Sequence, residues 1–381
     1  MARSGSAIQR RPDGRVSDVH DAKRGMDIHH GLNGGQRVSV ERADHSRIVA
    51  ERGRPGFVQR PYSFHGRDYA QRSYYFHGQM HEVYYRGYQY RGFELQVYAP
   101  LRYYPAAFYG WTFYPWGMPV SYAWGYVGSP WVGYYGSYFA PASMYGNASL
   151  WLTDYMISSD LAAAYDAGKE AGALSSNDQL GNSAPALTPE IKQMIADEVR
   201  AQIALESADS QQNLKAQDVD PASSSIARTL GDGHIHTLVV GSPLDVIDDS
   251  GTECALSDGD VLRLTTAPPP DAAAISLTVV ASKGGIECSK SGTVTVSVAD
   301  LQEMQNQMRQ AMDRGLDELR AQQGKGGLPV VPASATAAPA STAFADVAPP
   351  PNPNDAKDID QQAKAADQSE NEVTAQAKQG Q

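Results

Sequence analysis

The chain has 381 residues, with 43 Asp and Glu against 32 Lys and Arg, nine His and two Cys, and a formal charge of −11. That length suits two or three domains, and the acidic balance argues against a general nucleic-acid binder, whose footprint is basic. No stretch of about 18 apolar residues occurs, so a transmembrane helix of ordinary length is excluded.

Charge and aromatic content are unevenly spread. Up to Arg102 there are 17 basic and 10 acidic residues, and from Asp154 onward 15 and 33, so the two parts carry +7 and −18. Between Tyr103 and Thr153 there is no Asp, Glu, Lys or Arg, and all five Trp and 20 of the 21 Tyr fall between Tyr62 and Tyr155. This stretch is too short for an outer-membrane barrel, which needs at least about eight strands of ~10 residues. Pro105, Pro115, Pro119, Pro130 and Pro141 would also interrupt the ladders.

Residues 1–102 read as a basic antiparallel β-meander. Val16 with Val19, Met26 with Ile28, Val38 with Val40 and Ile48 with Ala50 mark successive strands with one apolar face. Asp13-Gly14, Asn33-Gly34-Gly35, Asp44-His45-Ser46 and Gly53-Arg54-Pro55-Gly56 supply the turns. The inward residues are few and small, which predicts that the meander leans on the aromatic segment after it. An aromatic-basic-Gly unit recurs as Phe64-His65-Gly66, Phe76-His77-Gly78 and Tyr90-Arg91-Gly92, at a spacing that fits one strand and turn per unit. Phe93, Leu95 and Val97 then alternate with polar neighbours as a further strand.

Residues 103–149 form an uncharged Tyr/Trp/Gly/Pro-rich segment in which Gly and Pro preclude long helix. It contains Tyr122-Ala123-Trp124-Gly125, with further Trp at 111, 116 and 131. In these residues the chain resembles uncharacterised exported bacterial proteins with YXWGXW-type repeats, although Val127 stands where that pattern has Trp. The resemblance implies an envelope location and no known chemistry.

Residues 150–217 read as helices and linker. Leu150, Ile157, Leu161 and Ala164 make one stripe, with Asp154 and Asp160 on the wet side. Thr188 caps a second helix over Pro189–Leu205, whose stripe is Ile191, Ile195, Val199 and Ile203. Residues 225–323 read as a small, closed, SH3-like β-barrel followed by an amphipathic helix carrying Leu301, Met304, Met308, Met312, Leu316 and Leu319. Both striped helices need a covering surface, within the chain or in a homo-oligomer. Residues 324–381, an Ala/Pro-rich then acidic tail with almost no apolar content, are expected to be disordered. The fold class is therefore mixed and mostly β.

Few residues suggest chemistry. Cys254 and Cys288 lie on or beside separate strands of one domain and are read as a disulfide, with two packed thiols as the alternative. His29-His30, His77 with His81, and His234 with His236 lack a third ligand at a recognisable spacing, so neither a metal nor a cofactor is assigned. Asp248-Asp249 and Asp258 with Asp260 suit turns better than a calcium loop. The aromatic segment allows two readings: a buried core, or a platform in which Trp111, Trp116, Trp124 and Trp131 stack on sugar rings. Since every buried Tyr hydroxyl needs a partner, partial exposure is expected, with at least two of those four rings facing solvent.

These observations favour a non-enzymatic protein of the bacterial envelope with a structural or adhesive role. The alternatives are a carbohydrate- or peptidoglycan-binding module and a hydrolase whose site the sequence conceals. A glycan or envelope-protein partner, and no nucleic acid, are expected. Met1 to Ser6 runs into Arg10-Arg11 with no apolar stretch of signal-peptide length. Export therefore predicts a start upstream of Met1, and the alternative is a cytoplasmic protein.

Overall fold

The computed structural model describes residues 5–76, 78–174, 186–215, 219–269 and 271–379. Two compact units emerge, neither continuous in sequence: Met1–Tyr85 with Asp166–Ser175 and Phe344–Gln381, and Arg86–Tyr165 with Ser176–Ala343.

The first unit is built on an antiparallel meander in which each strand bonds to the one before it. Its strands are β1 (Ala7–Arg10), β2 (Val16–Asp21), β3 (Met26–His30), β4 (Gln36–Glu41), β5 (Arg47–Glu51), β6 (Gly56–Phe64), β7 (Arg67–Phe76) and β8 (Gln79–Tyr90). Registers align Val19, Ile28, Val38 and Ala50 across β2–β5, and Met26, Val40, Ile48 and Val58 across β3–β6. All eight of these side chains are buried. The two-residue period of a strand thus gathers one apolar face from a sequence that is otherwise polar.

The aromatic-basic-Gly unit is a hairpin code. His65-Gly66 joins β6 to β7, and Arg91-Gly92 joins β8 to β9 (Phe93–Ala99). All four residues have positive φ (49°, 69°, 50° and 81°), the geometry of a two-residue type I′ turn. The basic side chain lies back on the preceding aromatic ring: His65 stacks on Phe64 with centroids 3.9 Å apart, and the Arg91 guanidinium sits 4.6 Å from the Tyr90 centroid. His77, in the third copy, lies outside the described residues.

The second unit receives the later part of β8 together with β9 and β10 (Arg102–Tyr103), which pairs with Ala340–Ser341. The aromatic segment follows with two short helices, α1 (Ala106–Phe113) and α2 (Pro130–Tyr134), and then α3 (Ala148–Glu170). Next come α4 (Pro189–Leu214), capped by Thr188, and α5 (Ile226–Gly231). Six strands then form one antiparallel sheet: β11 (His236–Val239), β12 (Leu244–Asp248), β13 (Glu253–Leu256), β14 (Val261–Leu264), β15 (Ala274–Ala281) and β16 (Thr293–Ser297).

In the order β11-β14-β15-β16-β12-β13 no ladder joins β11 to β13 among the described residues, so the expected closure into an SH3-like barrel is not seen, although the far edge of β13 bonds residues 286–288 through Ala255. Helix α6 (Val298–Gln322) starts immediately after β16. Its Leu301 and Met304, with Ile226 and Leu230 of α5, join the sheet's apolar cluster. The apolar face of the sheet is thus covered in part by helices. The stripes of α4 and α6 are buried within this unit, so neither needs a second chain to cover it.

The expected disordered tail is corrected as well. Residues Asp355–Gln379 form a helix, α7, that belongs to the first unit. Ile359, Ala366 and Val373, seven residues apart, enter the apolar cluster of the meander. The meander is therefore covered by α7, not by the aromatic segment as anticipated. Charge supplies what the thin apolar seam lacks. Arg24 bonds Glu372 at 2.9 Å, His30 meets Glu370 at 2.8 Å, Arg42 meets Asp358 at 2.5 Å, and Arg60 meets the buried Asp355 at 2.5 Å. Gly56 makes the close approach possible, because a Cβ there would lie 2.5 Å from Ile359 Cγ2. The surplus of cations early in the chain and of anions late in it thus meet in one interface.

The turn code is open to a direct test. Gly92 has open space where a methyl would go, so Gly92→Ala should cost only the left-handed backbone penalty, about 1–2 kcal/mol. Gly92→Asn should cost less, because Asn visits that region more readily. Denaturant midpoints for the two variants in the opposite order would refute the turn assignment.

Candidate functional site

Burial of the aromatic segment decides what its rings can do. Trp116, Trp124 and Trp131 are each 8% exposed, and Trp111 is half-buried against Phe108 and Trp116. The expectation that at least two of the four rings face solvent is therefore not met, since three are in the core. Trp124 stacks on the fully buried Trp151 with centroids 5.1 Å apart.

The hydroxyl problem that seemed to require exposure is met for several of these tyrosines by partners from flanking elements, though the buried Tyr126 hydroxyl finds no hydrogen-bond partner among the described residues. Tyr145 donates to Asp154 at 2.7 Å, Tyr138 to the Gly259 carbonyl at 2.8 Å, Tyr98 to Asp313 at 2.6 Å, and Tyr104 to Asp317. Burial pushes the hydroxyl pKa of Tyr138 and Tyr145 far above the usual range. These groups are neutral donors and not proton carriers.

Asp154 is the hub. It was expected on the wet side of α3, yet it is fully buried. Its Oδ2 accepts from the Tyr145 hydroxyl and from the Ala142 amide at 2.6 Å, and its Oδ1 lies 2.7 Å from Lys192 Nζ. Tyr145 in turn accepts from Trp124 Nε1 at 2.8 Å. Lys192 also bonds the Ala140 carbonyl and lies 4.6 Å from the Phe139 ring centroid. Burial pulls its ammonium below the ordinary lysine range, against the pull of Asp154. A lysine with a lowered pKa is a familiar base or nucleophile, but this one is held among three partners inside the core.

A second cluster joins the turn after β13 to the end of β15. Lys283 Nζ reaches Asp260 at 2.7 Å and the Ser257 hydroxyl at 2.9 Å, while that hydroxyl donates to Glu287. The Ser–Lys contact has the outline of a nucleophile with its base. Burial acts to lower the Lys283 pKa, but Asp260 and Glu287 hold it above its ordinary value, so it stays protonated and cannot take the serine proton. The cluster pins two turns together.

A third lies between α4 and α6. Glu206 and Arg309, each 1% exposed, face one another at 3.5 Å, with the carboxyls of Asp313 and Asp209 beside them. Burial, then the Asp313 charge, drives the Glu206 pKa well up, so this carboxyl is held neutral. Next to it the amide of Asn306 bonds both Gln96 O (2.7 Å) and Tyr98 N (2.9 Å), which occupies the free edge of β9 in place of another strand.

The histidines serve ion pairs. His29 bonds Asp18, His30 bonds Glu370, and His81 stacks on Tyr74. His77 is outside the described residues. His234 and His236 do not converge: His234 is exposed, whereas His236 is buried, with Nδ1 2.9 Å from Glu198 and Nε2 2.9 Å from Asp232. Among the described residues no group of three or more His, Cys, Asp or Glu is arranged to hold a metal. Asp248 closes its own turn through Ser250 and Thr252. Cys254 and Cys288 form a disulfide, with Cα atoms 4.9 Å apart.

The sequence contained signals for two of these clusters. Extended by two turns past Ile203, the α4 stripe lands on Glu206 and Ser210, both buried. In α6, Gln302, Asn306, Arg309 and Asp313 form a polar stripe parallel to the apolar one, which the sequence reading did not single out. Compared with family models, curated proteins and solved structures, the chain has no match.

Two outcomes follow. Lys192→Met strands the Asp154 charge and should cost about 3–5 kcal/mol, the scale for breaking a buried pair. The same variant should red-shift and expose Trp emission to iodide, and adding Asp154→Asn should recover much of the loss. Wild-type emission that iodide quenches freely would contradict the buried core. For His236, both ring nitrogens face carboxylates, so only the imidazolium satisfies both. Burial opposes that form, but Glu198 and Asp232 raise its pKa above the ordinary 6.5. Its stabilisation is full below pH 6.5 and is lost as pH rises through the folded-state value. His236→Gln should therefore be markedly less stable than wild type at pH 6, and the gap should narrow by pH 9. A gap independent of pH would refute the clamp.

Proposed function

We propose that this is an extracytoplasmic structural or interaction protein of a bacterial envelope, with no catalytic role. The observation that carries the reading is the Cys254–Cys288 disulfide, which links residues 34 apart in the chain. Structural disulfides of this kind persist in oxidising compartments and are rare in the cytosol. In the chain-entropy description a loop of that size is worth about 4 kcal/mol. The resemblance of the Tyr122–Gly125 stretch to exported aromatic-repeat proteins points the same way.

The structural role is supported by where the reactive groups are engaged. The buried lysines, the neutral carboxyl and the clamped histidine are each occupied with a partner inside the second unit, and three of the four Trp offered for sugar stacking are core residues. The reading favours a scaffold that presents a surface to another macromolecule, over a pocket that captures a sugar or a scissile bond.

The test uses cells expressing the native gene. Fractionation should place the protein outside the cytoplasm, and its two cysteines should resist alkylation until a reductant is added. Reduction should then lower the stability of the purified protein by up to about 4 kcal/mol. Freely alkylated cysteines in a cytosolic fraction would end the proposal.

A further inference from the structure

The α7 contact has features that set it apart from the rest of the molecule. From α7 three buried side chains, Ile359, Ala366 and Val373, join the apolar cluster with the partly buried Ala365 beside them, whereas the meander contributes eight buried side chains to the same face. Polar pairs carry the rest of the contact: Arg42–Asp358 and His30–Glu370 keep roughly a quarter to a third of each side chain exposed (32%/26% and 28%/24%), whereas Asp355, held by Arg60, and Ser369, bonded to Asp21, are buried. With so thin an apolar seam, the docking of α7 depends on these pairs and is open to change through them.

Opening need not unfold α7. Its 25 residues contain neither Gly nor Pro and are rich in Ala and Gln, with Asp355 and Asp358 in the first turn and Lys378 in the last, so the helix has the propensity and the length to persist when undocked. The chain on its near side stays anchored, because Phe344 is buried with its ring 5.0 Å from Tyr69 and its carbonyl accepts from the Tyr62 hydroxyl. Between that anchor and Asp355 lies a tether containing Pro349, Pro350, Pro351 and Pro353. Proline runs are extended and semi-rigid, so a released helix is carried clear of the sheet without losing reach of it. Release also uncovers Val19, Ile28, Val38 and Ile48, a flat apolar sheet face that must be covered again.

From these features we infer that the meander face is an exchangeable helix-binding groove, and that its occupant in an assembly is α7 of a second copy of this chain. Every contact a partner's helix makes is the one already seen within the chain, so exchange costs no complementarity and follows the logic of swapped dimers. Concentration decides the balance. A short tether gives the helix an effective concentration on the order of 1 mM at its own groove. Exchange then wins where copies are packed at comparable density, as on a crowded surface. This inference goes beyond the functional reading above and does not depend on the compartment.

Charge reversal makes it testable in the full chain. One variant, H30E/R42E, places acids on the sheet opposite an acidic helix. A second, D358R/E370R, places arginines on the helix opposite a basic sheet. Each alone should lose protection of its tether against protease. Mixed one to one, they should form a species with the mass of two chains by light scattering, with protection restored, because each helix finds an oppositely charged groove only on the other copy. The fourfold variant, which restores the pairs within one chain, should behave as wild type and shows that the reversed charges are compatible with folding. Wild type itself should gain two-chain species as its concentration approaches about 1 mM. A mixture that stays at the mass of one chain with its tether cut would overturn the exchange. Single variants that keep full protection would overturn the claim that these ion pairs hold the helix.

Discussion

The second unit depends on one buried carboxylate. The run from Tyr103 to Thr153 has no charge to keep any part of it at the surface, and aromatic rings pack in many arrangements of similar energy. Asp154, the first charge after that run, removes the ambiguity. It takes a backbone amide from Ala142 and a hydroxyl from Tyr145, and through Tyr145 it fixes the indole of Trp124, while Lys192 neutralises it from α4. Such a pair contributes little net stability compared with an apolar substitute, because both ions were dehydrated to make it. What it supplies is register: a shift of the segment by one residue would leave a charge in the core without a partner.

The same economy operates between α4 and α6, where a neutral carboxyl, a guanidinium and an amide stripe sit at positions that a simple amphipathic wheel assigns to water. Asn306 shows what such residues are for. A strand edge has a fixed set of donors and acceptors, and a single side-chain amide can answer two of them. Helix α6 therefore meets apolar side chains with one stripe and exposed backbone with the other, and each stripe needs a different chemistry.

How much of this was legible varied with the range of the interaction. The strands from Val16 to Ala50 and from His236 to Ser297 were readable because alternation and turn residues are local signals. The aromatic-basic-Gly triplets were visible as a repeat, and the positive φ angles at His65 and Arg91 show why the repeat exists. Closure of the barrel was not legible, because nothing in the strand pattern says whether a sheet closes or is covered, and two of the residues that cover it, Leu301 and Met304, lie in the next helix. Helix α7 was missed for a related reason. Its composition taken alone cannot bury enough surface, and the cations that complete it are 295 to 348 residues away in the sequence. The buried Asp154 carried no signal beyond its position at the end of an uncharged run.

That separation also orders events in time. The meander's strands leave the ribosome well before the helix that covers them, which is synthesised some three hundred residues later. For all of that interval the β2–β6 face can be closed only by something else, whether a chaperone, a transient collapse or a neighbouring nascent chain. Long-range closure of this kind slows folding because loop entropy is lost before any contact compensates for it. The first unit cannot be completed before residues 355–379 are made, so of all the surfaces in the molecule the β2–β6 face waits longest for its cover.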